Sequence, residues 1–208
     1  VDERDARIVP LQALQKAGYW TAGIGKFHWL QNWPWSASPG TGHDLFALKP
    51  EIMKYGLDYV WEASGKQLAV KNYCDYCKHL ESKGILEKFR RHIESCGRNS
   101  QDPEKTSFDG NPWPFDEEDY IDIVTGGEIL KAIDARPHNK PFFLFGSFSG
   151  PHKPYDPPTS YLDKFPLEKK DNFIPGVEMS PAVKERLYKL RRAYKAMIAV
   201  IDDQVGNT

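Results

Sequence analysis

Apolar residues recur along this chain at two spacings, and together they predict alternating helices and strands. Residues 8–17 carry apolar side chains at helical intervals and are followed by Gly18, a residue typical of helix ends. Residues 20–24 then predict a strand that runs directly into a lysine and a histidine. A helix, a glycine and a strand in succession are typical of an α/β fold.

The second half of the chain shows the same alternation with longer elements. Residues 117–135 predict a helix, although Gly126 and Gly127 each weaken it by about 1 kcal/mol relative to alanine. The uninterrupted apolar run 142–145 predicts a strand that is buried on both faces of a sheet.

A long helix is predicted near the end of the chain. Ser180 and Pro181 are suited to the N-cap and the first helical position. A continuous apolar stripe follows at helical spacing, and such a stripe normally packs on a core. Its members are Val183, Leu187, Leu190, Tyr194, Met197, Ile201 and Val205.

Residues 32–115 interrupt this pattern, and we expect them to form an irregular, insertion-like region. Proline and glycine punctuate residues 32–65, where no clear periodicity stands out. Residues 73–95 predict a charged helix that is interrupted at Gly84. Residues 97–115 are polar and proline-rich, which favours a mobile loop.

Composition favours a folded domain and argues against two classes of partner. The chain has 208 residues, of which 40% are apolar and 27% are charged. A net charge of -1 gives no reason to expect nucleic acid as a partner, and no apolar run is long enough to span a membrane. The three cysteines are an odd number, so they do not form a closed disulfide framework.

The first candidate site segment contains Lys26 and His28 at the end of a predicted strand. Both side chains project to one face if the strand geometry persists, whereas Phe27 points to the other. A lysine and an imidazole side by side suit a tetrahedral anion, because one carries charge and the other donates a hydrogen bond or a proton. Taken alone, a solvated lysine and a surface histidine are the plainer interpretation.

The second candidate segment surrounds His152, just beyond the strand predicted over 142–145. Ligands of open α/β sheets bind outside the carboxyl ends of the strands. Pro151 and Pro154 fix the backbone on either side of the histidine, and Lys153 adds a cation. A rigid solvent loop with an incidental histidine explains this segment equally well when it is taken alone.

The two segments say more together than apart. If their strands are parallel neighbours, Lys26, His28 and His152 converge on one crevice. Three basic groups in one crevice favour a sulfate or phosphate ester as substrate.

Four segments of the chain resemble, in the same order, segments of the sulfatase family of the alkaline phosphatase superfamily. Residues 14–28 read LQKAGYWTAGIGKFH and resemble the family's AGY-x-T-x-x-x-GKWH, with Phe27 in place of tryptophan. Residues 141–158 read PFFLFGSFSGPHKPYDPP and resemble PFFL…SF-x-x-PH-x-PYDPP. Residues 55–58 resemble the family's GFD segment, and residues 194–206 resemble the helix that precedes a late metal-binding strand.

The resemblance implies that the chain is part of an enzyme that hydrolyses a small-molecule or glycan sulfate ester, and that this segment alone is inactive. In relatives the position of Lys26 contacts the sulfate, and the position of His28 hydrogen-bonds the nucleophile. The position of His152 binds the sulfate and, with lysines, assists the leaving group, which needs a nearby proton donor. Lys153 and Tyr155 are further implied contacts with the substrate.

The resemblance also implies an α/β fold, with a mixed, largely parallel sheet flanked by helices, that is incomplete. Residues 1–208 would form part of a sulfatase catalytic domain. The family's nucleophile is a formylglycine made from a C/S-x-P-x-R motif, and its cation is a divalent ion, with calcium favoured. Neither the motif nor the paired metal aspartates occur here, so both are expected outside this segment. The resemblance also implies a periplasmic, secreted or lysosome-like location. The three cysteines stand in other contexts, at Cys74, Cys77 and Cys96.

Other interpretations stay open at this point. Phosphonate and phosphodiester hydrolases of the same superfamily share these segments. A non-catalytic module could bind sulfated glycans through Lys26, His152 and Lys153. The sequence leaves the oligomeric state undetermined.

Two further residue sets have both a functional and a structural explanation. The first set has the spacing of a small structural zinc site, although ordinary packing of a helix is the favoured explanation for these residues. Its members are Cys74, Cys77, His92 and Cys96. The second set consists of aromatic residues in predicted long loops. They could form a sugar-stacking rim or, equally well, local cores of those loops, and they are Trp33, Trp35, Trp113 and Tyr155.

Overall fold

A three-stranded parallel sheet forms the centre of the computed structural model, which describes residues 10–29, 36–96, 111–171, 176 and 178–208. The strands are β1 (Trp20–Gly25), β2 (Tyr59–Glu62) and β3 (Phe142–Ser147), and their order in the sheet is β2-β1-β3. Both pairings of β1 are parallel. The predicted α/β class, with a parallel sheet flanked by helices, is confirmed.

Helices connect and cover the strands. In chain order they are α1 (Pro10–Lys16), α2 (Lys49–Met53), α3 (Lys66–Ala69), α4 (Asp75–Ser82), α5 (Leu86–Ser95), a 3₁₀ turn (Glu117–Asp119), α6 (Ile121–Ala135), α7 (Thr159–Leu162) and α8 (Pro181–Gly206). None of the helices in the described ranges is long and apolar enough to cross a membrane.

The described part of residues 32–115 is more regular than the sequence indicates. It contains β2, which adds to one side of β1, and the helix pair α4 and α5. As predicted, this helix pair is separated at Gly84, whose φ of +70° suits glycine. Tyr76 and Phe89 from the pair are fully buried in the main core. A strand of four residues is too short for its periodicity to stand out among glycines and prolines.

Strand β3 forms where the apolar run predicts a strand, but its burial differs from the expectation. Phe142, Phe143 and Phe145 are 42%, 39% and 47% exposed, so the strand is not buried on both faces. The reason is its position, because β3 lies at an edge and pairs only with β1 among the residues that the structure describes.

Helix α8 begins as predicted, since the Ser180 side chain accepts a hydrogen bond from the backbone N–H of Val183. Its buried face coincides with the predicted stripe only in part, because Met197 is buried but Val183, Tyr194 and Val205 are exposed. The other members of the stripe, Leu187, Leu190 and Ile201, are half-buried. The helix packs on α6, and small side chains allow that close approach. Its buried residues are Tyr188, Ala193, Ala196, Met197 and Val200.

Candidate active site

All three strands deliver a basic residue to the same edge of the sheet. Gly25 at the end of β1 lies opposite Glu62 of β2 and Ser147 of β3, so the carboxyl ends of the strands are level. Residues that follow parallel strands therefore meet at one edge, where α/β enzymes place their ligands.

Residues that follow the three strands line one cavity of about 130 Å³. The predicted convergence of Lys26, His28 and His152 is confirmed, because all three contribute to its wall. Lys153 and Tyr155, which were expected beside them, are not among the lining residues. The complete lining is Lys26, His28, Ser64, Gly65, Lys66, Gln67, Leu68 and His152.

A close approach of β1 and β3 fixes the start of the Lys26 segment. The backbone N–H of Lys26 donates to the carbonyl oxygen of Ser147 at 2.7 Å. A Cβ added at Gly25 would lie 1.9 Å from that same oxygen, and the φ of Gly25 is +118°. Only glycine fits here, so the glycine before Lys26 is a requirement of the strand contact.

A buried carboxyl group joins the segment after β1, which carries Lys26, to the segment after β2, which carries Lys66. Glu62 Oε1 accepts hydrogen bonds from the backbone N–H of Phe27 at 3.1 Å and of Ser64 at 2.9 Å. Burial raises the pKa of Glu62 to about 8, although both hydrogen bonds oppose that rise. Glu62 therefore holds the segment after β1 against the segment after β2.

Lys66 supplies charge to the cavity while its ammonium group is held in the wall. Its Nζ forms an ion pair with Asp156 and donates to the Tyr120 hydroxyl at 2.8 Å and, more weakly, to the Pro154 carbonyl at 3.4 Å. It also lies 4.4 Å from the centroid of the Tyr120 ring. These partners occupy the three donors of the ammonium group. Lys66 thus acts on a ligand through its charge.

Another buried carboxylate positions the segment that carries His152. Asp122, in the first turn of α6, accepts from the backbone N–H of Ser149 at 2.6 Å and of Gly150 at 3.0 Å. The Nδ1 of His152 lies 2.8 Å from the carbonyl oxygen of Lys153, which only accepts. Nδ1 therefore carries the proton, and Nε2 is left to bind a ligand.

The basic groups of the cavity depress one another's affinity for protons. Burial lowers the pKa of Lys26, and the carboxylate of Asp122 partly opposes this. Burial and the charges of Lys26 and His152 lower the pKa of His28. Burial likewise lowers the pKa of His152, as do the charges of Lys26 and Lys153. An anion in the cavity would relieve this repulsion, so the arrangement is suited to an anionic ligand.

The model of the sulfatase family matches residues 11–208 of this chain. The chain belongs to the sulfatase family.

Known proteins resemble the chain in sequence and in fold. An arylsulfatase of Clostridium perfringens is 29% identical in an alignment 116 residues long that covers 48% of this sulfatase chain and 24% of the relative. The crystal structure of a phosphonate monoester hydrolase of Agrobacterium radiobacter matches with a TM-score of 0.53 at 19% identity, covering 95% of this chain and 42% of that one. A phosphonate monoester hydrolase from Silicibacter pomeroyi matches with a TM-score of 0.57 at 18% identity, covering 96% and 42%. The chain thus spans well under half the length of these proteins.

The cysteines of this sulfatase chain do not gather around a metal position. Cys74 and Cys77 lie 3.5 Å apart through their sulfur atoms, and Cys96 lies 3.9 Å from His92 instead. Burial lowers the pKa of His92, but hydrogen bonds with Asp156 and Cys96 outweigh it and raise the pKa to about 9. No group of three or more potential ligands suits a metal within the described ranges.

Of the four aromatic residues considered for a sugar-stacking rim, the two described ones, Trp113 and Tyr155, do not line the cavity. Trp33 and Trp35 lie outside the described residues, as do residues 97–110 of the predicted mobile loop. Trp113 is buried in the main core, which agrees with its structural interpretation. Tyr155 lines a different cavity, described below.

Sequence reasoning missed Lys66, Glu62 and Asp122 as parts of this site. For Lys66 a signal was present, since the apolar run of β2 leads into Ser64, Gly65 and then lysine, as β1 leads into Gly25 and lysine. The carboxylates carry no comparable local signal, because their partners are distant in the chain.

Proposed function

We propose that this chain contributes the anion-binding part of an active site that hydrolyses sulfate esters. The observation that carries the proposal is the shared cavity of Lys26, His28 and His152, with the charge of Lys66 behind it. The similarity to an arylsulfatase favours sulfate esters over phosphonates. Formylglycine as the nucleophile and a divalent cation, calcium being favoured, belong to this proposal and would come from outside this segment.

The side chains in the cavity can bind and position a sulfate ester. Lys26 offers its ammonium group to a sulfate oxygen, which offsets the negative charge of the group. His152 offers Nε2, and an anion bound next to it raises its pKa, so that it can hold a proton for the departing oxygen. His28 follows on the same segment as Lys26 and is proposed to face the nucleophile.

The described residues do not fit a divalent cation in this cavity. Its ionisable lining groups are lysines and histidines, whose positive charge repels a cation. No trio of histidine, cysteine, aspartate or glutamate side chains in the described ranges is placed to hold one. We therefore assign these side chains to the sulfate and assign no step to the metal.

Binding of inorganic sulfate to the isolated chain tests the proposal. We expect millimolar affinity by calorimetry, increasing as the pH falls from about 7.5 to about 5.5, because the imidazoles gain protons below their lowered pKa values. The variant Lys26→Gln should weaken binding about tenfold or more, the effect of losing one charge-assisted hydrogen bond.

Lys131→Gln is the matched control, since it removes an equal charge from a lysine on α6 that pairs with Glu128. Equal effects of the two variants would contradict a sulfate site at Lys26. Tighter binding of phenyl phosphonate than of phenyl sulfate would favour the phosphonate alternative. Turnover of 4-nitrophenyl sulfate by the isolated chain would contradict a nucleophile outside this segment.

A further inference from the structure

A second and larger cavity lies along α8. Its volume is about 450 Å³, within the range of small-molecule and ligand pockets. One wall is the chain segment 166–170, and the other is a face of α8. We call it the α8 groove, and its lining is Tyr155, Pro166, Glu168, Lys170, Tyr188, Leu190, Arg191, Arg192, Tyr194 and Lys195.

Cations outnumber anions in the α8 groove. Lys170 and Lys195 both pair with Glu168, each at 3.2 Å, so one carboxylate is shared by two ammonium groups. Two arginines add further charge, although Arg192 also pairs with Asp163 outside the groove lining at 3.3 Å. Each arginine is anchored to the opposite wall. Arg191 donates to the carbonyl oxygen of Lys170 at 2.9 Å, and Arg192 donates to that of Phe165 at 2.6 Å. The positive charge is therefore held in place along both walls before any ligand arrives.

Tyrosine rings lie among these cations. The rings of Tyr155 and Tyr194 lie 6.0 Å apart between centroids, and Tyr194 is 41% exposed. Such rings offer a flat apolar surface and a hydroxyl group, which together suit a ligand with both C–H faces and polar groups. A row of cations with tyrosine faces matches an anionic oligosaccharide, whose rings present C–H faces and whose substituents carry negative charge.

A short chain segment leads from the cavity of Lys26 and His152 to the α8 groove. Tyr155 lines the groove and follows His152 by three residues, so their Cα atoms are within about 11 Å of each other. That distance is on the scale of two linked sugar rings. A ligand longer than two sugar rings is therefore long enough to reach from the first cavity to the α8 groove.

We propose that the α8 groove binds the continuing chain of an anionic, sulfated oligosaccharide whose scissile sulfate lies in the Lys26 cavity. This proposal rests on the proposed function, because it takes a sulfate ester as the group held there. It assigns the choice between small and extended substrates to α8.

Calorimetry at low ionic strength with a heparin-derived hexasaccharide tests the groove directly. Lys195→Gln should weaken binding about threefold to tenfold, whereas Lys189→Gln, an equal charge loss on α8 outside the groove lining, should leave it nearly unchanged. Glu168→Gln should strengthen binding about threefold, because it releases both lysines for the ligand. Its control is Glu185→Gln, which releases only Lys169 outside the groove lining.

Circular dichroism confirms that each variant is folded, so every outcome decides the proposal. Equal effects of the groove variants and their controls would overturn it, as would binding of an oligoglutamate as tight as that of the hexasaccharide. If Lys26→Gln weakens sulfate binding while Lys195→Gln leaves hexasaccharide binding unchanged, only the proposal for the α8 groove is wrong. If Lys195→Gln weakens hexasaccharide binding while Lys26→Gln leaves sulfate binding unchanged, the proposed function is wrong, whereas binding of the oligosaccharide in the α8 groove is supported.

Discussion

Glu62 shows how a single buried residue organises a site without entering it. Its side chain is almost fully buried, and one of its oxygens accepts from the backbone of both the Phe27 segment and the Ser64 segment. Burial, with Asp75 nearby, favours the neutral acid and raises its pKa to about 8, even though the two hydrogen bonds favour the charged form. The joint between the two basic segments is therefore sensitive to pH near neutrality.

Substitution of Glu62 should change the pH dependence of stability in a defined direction. Because its folded-state pKa of about 8 lies above the ordinary 4.5, its contribution to stability is complete below about 4.5 and is lost as pH rises through about 8. Glu62→Gln keeps an acceptor oxygen and should flatten this decline, as measured by urea unfolding at pH 5, 7 and 9. Parallel pH profiles for wild type and Glu62→Gln would contradict the assignment.

The alanine variant separates the acceptor from the charge. Glu62→Ala leaves the N–H groups of Phe27 and Ser64 without their acceptor, which should cost about 1–3 kcal/mol for each buried group at every pH. The two variants together therefore distinguish loss of a hydrogen-bond acceptor from loss of a titrating proton.

At the scale of elements, the contact between β1 and β3 depends on one glycine. Gly25→Ala should destabilise the fold by about 3 kcal/mol or more, since its Cβ would meet the Ser147 oxygen at 1.9 Å on a backbone with φ of +118°. Gly127→Ala is the control within α6, because nothing lies within 4 Å of its added Cβ. That variant should stabilise the fold by about 0.5–1 kcal/mol. Thermal unfolding of both variants measures the contrast, and a neutral Gly25→Ala would refute the close approach.

Element type could be predicted from local periodicity, whereas element environment could not. The helices near residues 8–17, 117–135 and 181–205 and two of the strands follow from apolar spacing. The burial of β3 depends on its place in the sheet order, which no local pattern encodes. The buried face of α8 depends on its partner as well. A Cβ at Gly126 of α6 would lie 2.4 Å from the Gln204 side chain, so contact between the two helices selects small residues over the larger apolar stripe.

At the scale of the whole molecule, the basic half of the site was predictable and its support was not. Lys26, His28 and His152 stand next to glycine or proline at strand ends, a local arrangement visible in the sequence. Their supporting contacts span 35 residues from Phe27 to Glu62 and 27 from Ser149 to Asp122. Contacts of that span depend on the folded topology, and single-sequence patterns do not report them.

The longest of these supports, between Lys66 and Asp156, crosses the molecule from the end of β2 to the segment after β3 and spans 90 residues. Both side chains are almost fully buried, so removal of one charge leaves the other buried without a partner of opposite charge. Asp156→Asn should therefore destabilise the chain by about 3–5 kcal/mol in urea unfolding, whereas Asp163→Asn, which breaks an exposed pair with Arg192, should cost at most about 1 kcal/mol. The double variant Lys66→Met/Asp156→Asn should cost less than the sum of its single variants, because it removes both charges of the pair, whereas each single variant leaves one of them buried and unpaired. Additive costs, or equal effects of the two aspartate variants, would show that this ion pair does not join the two halves of the site.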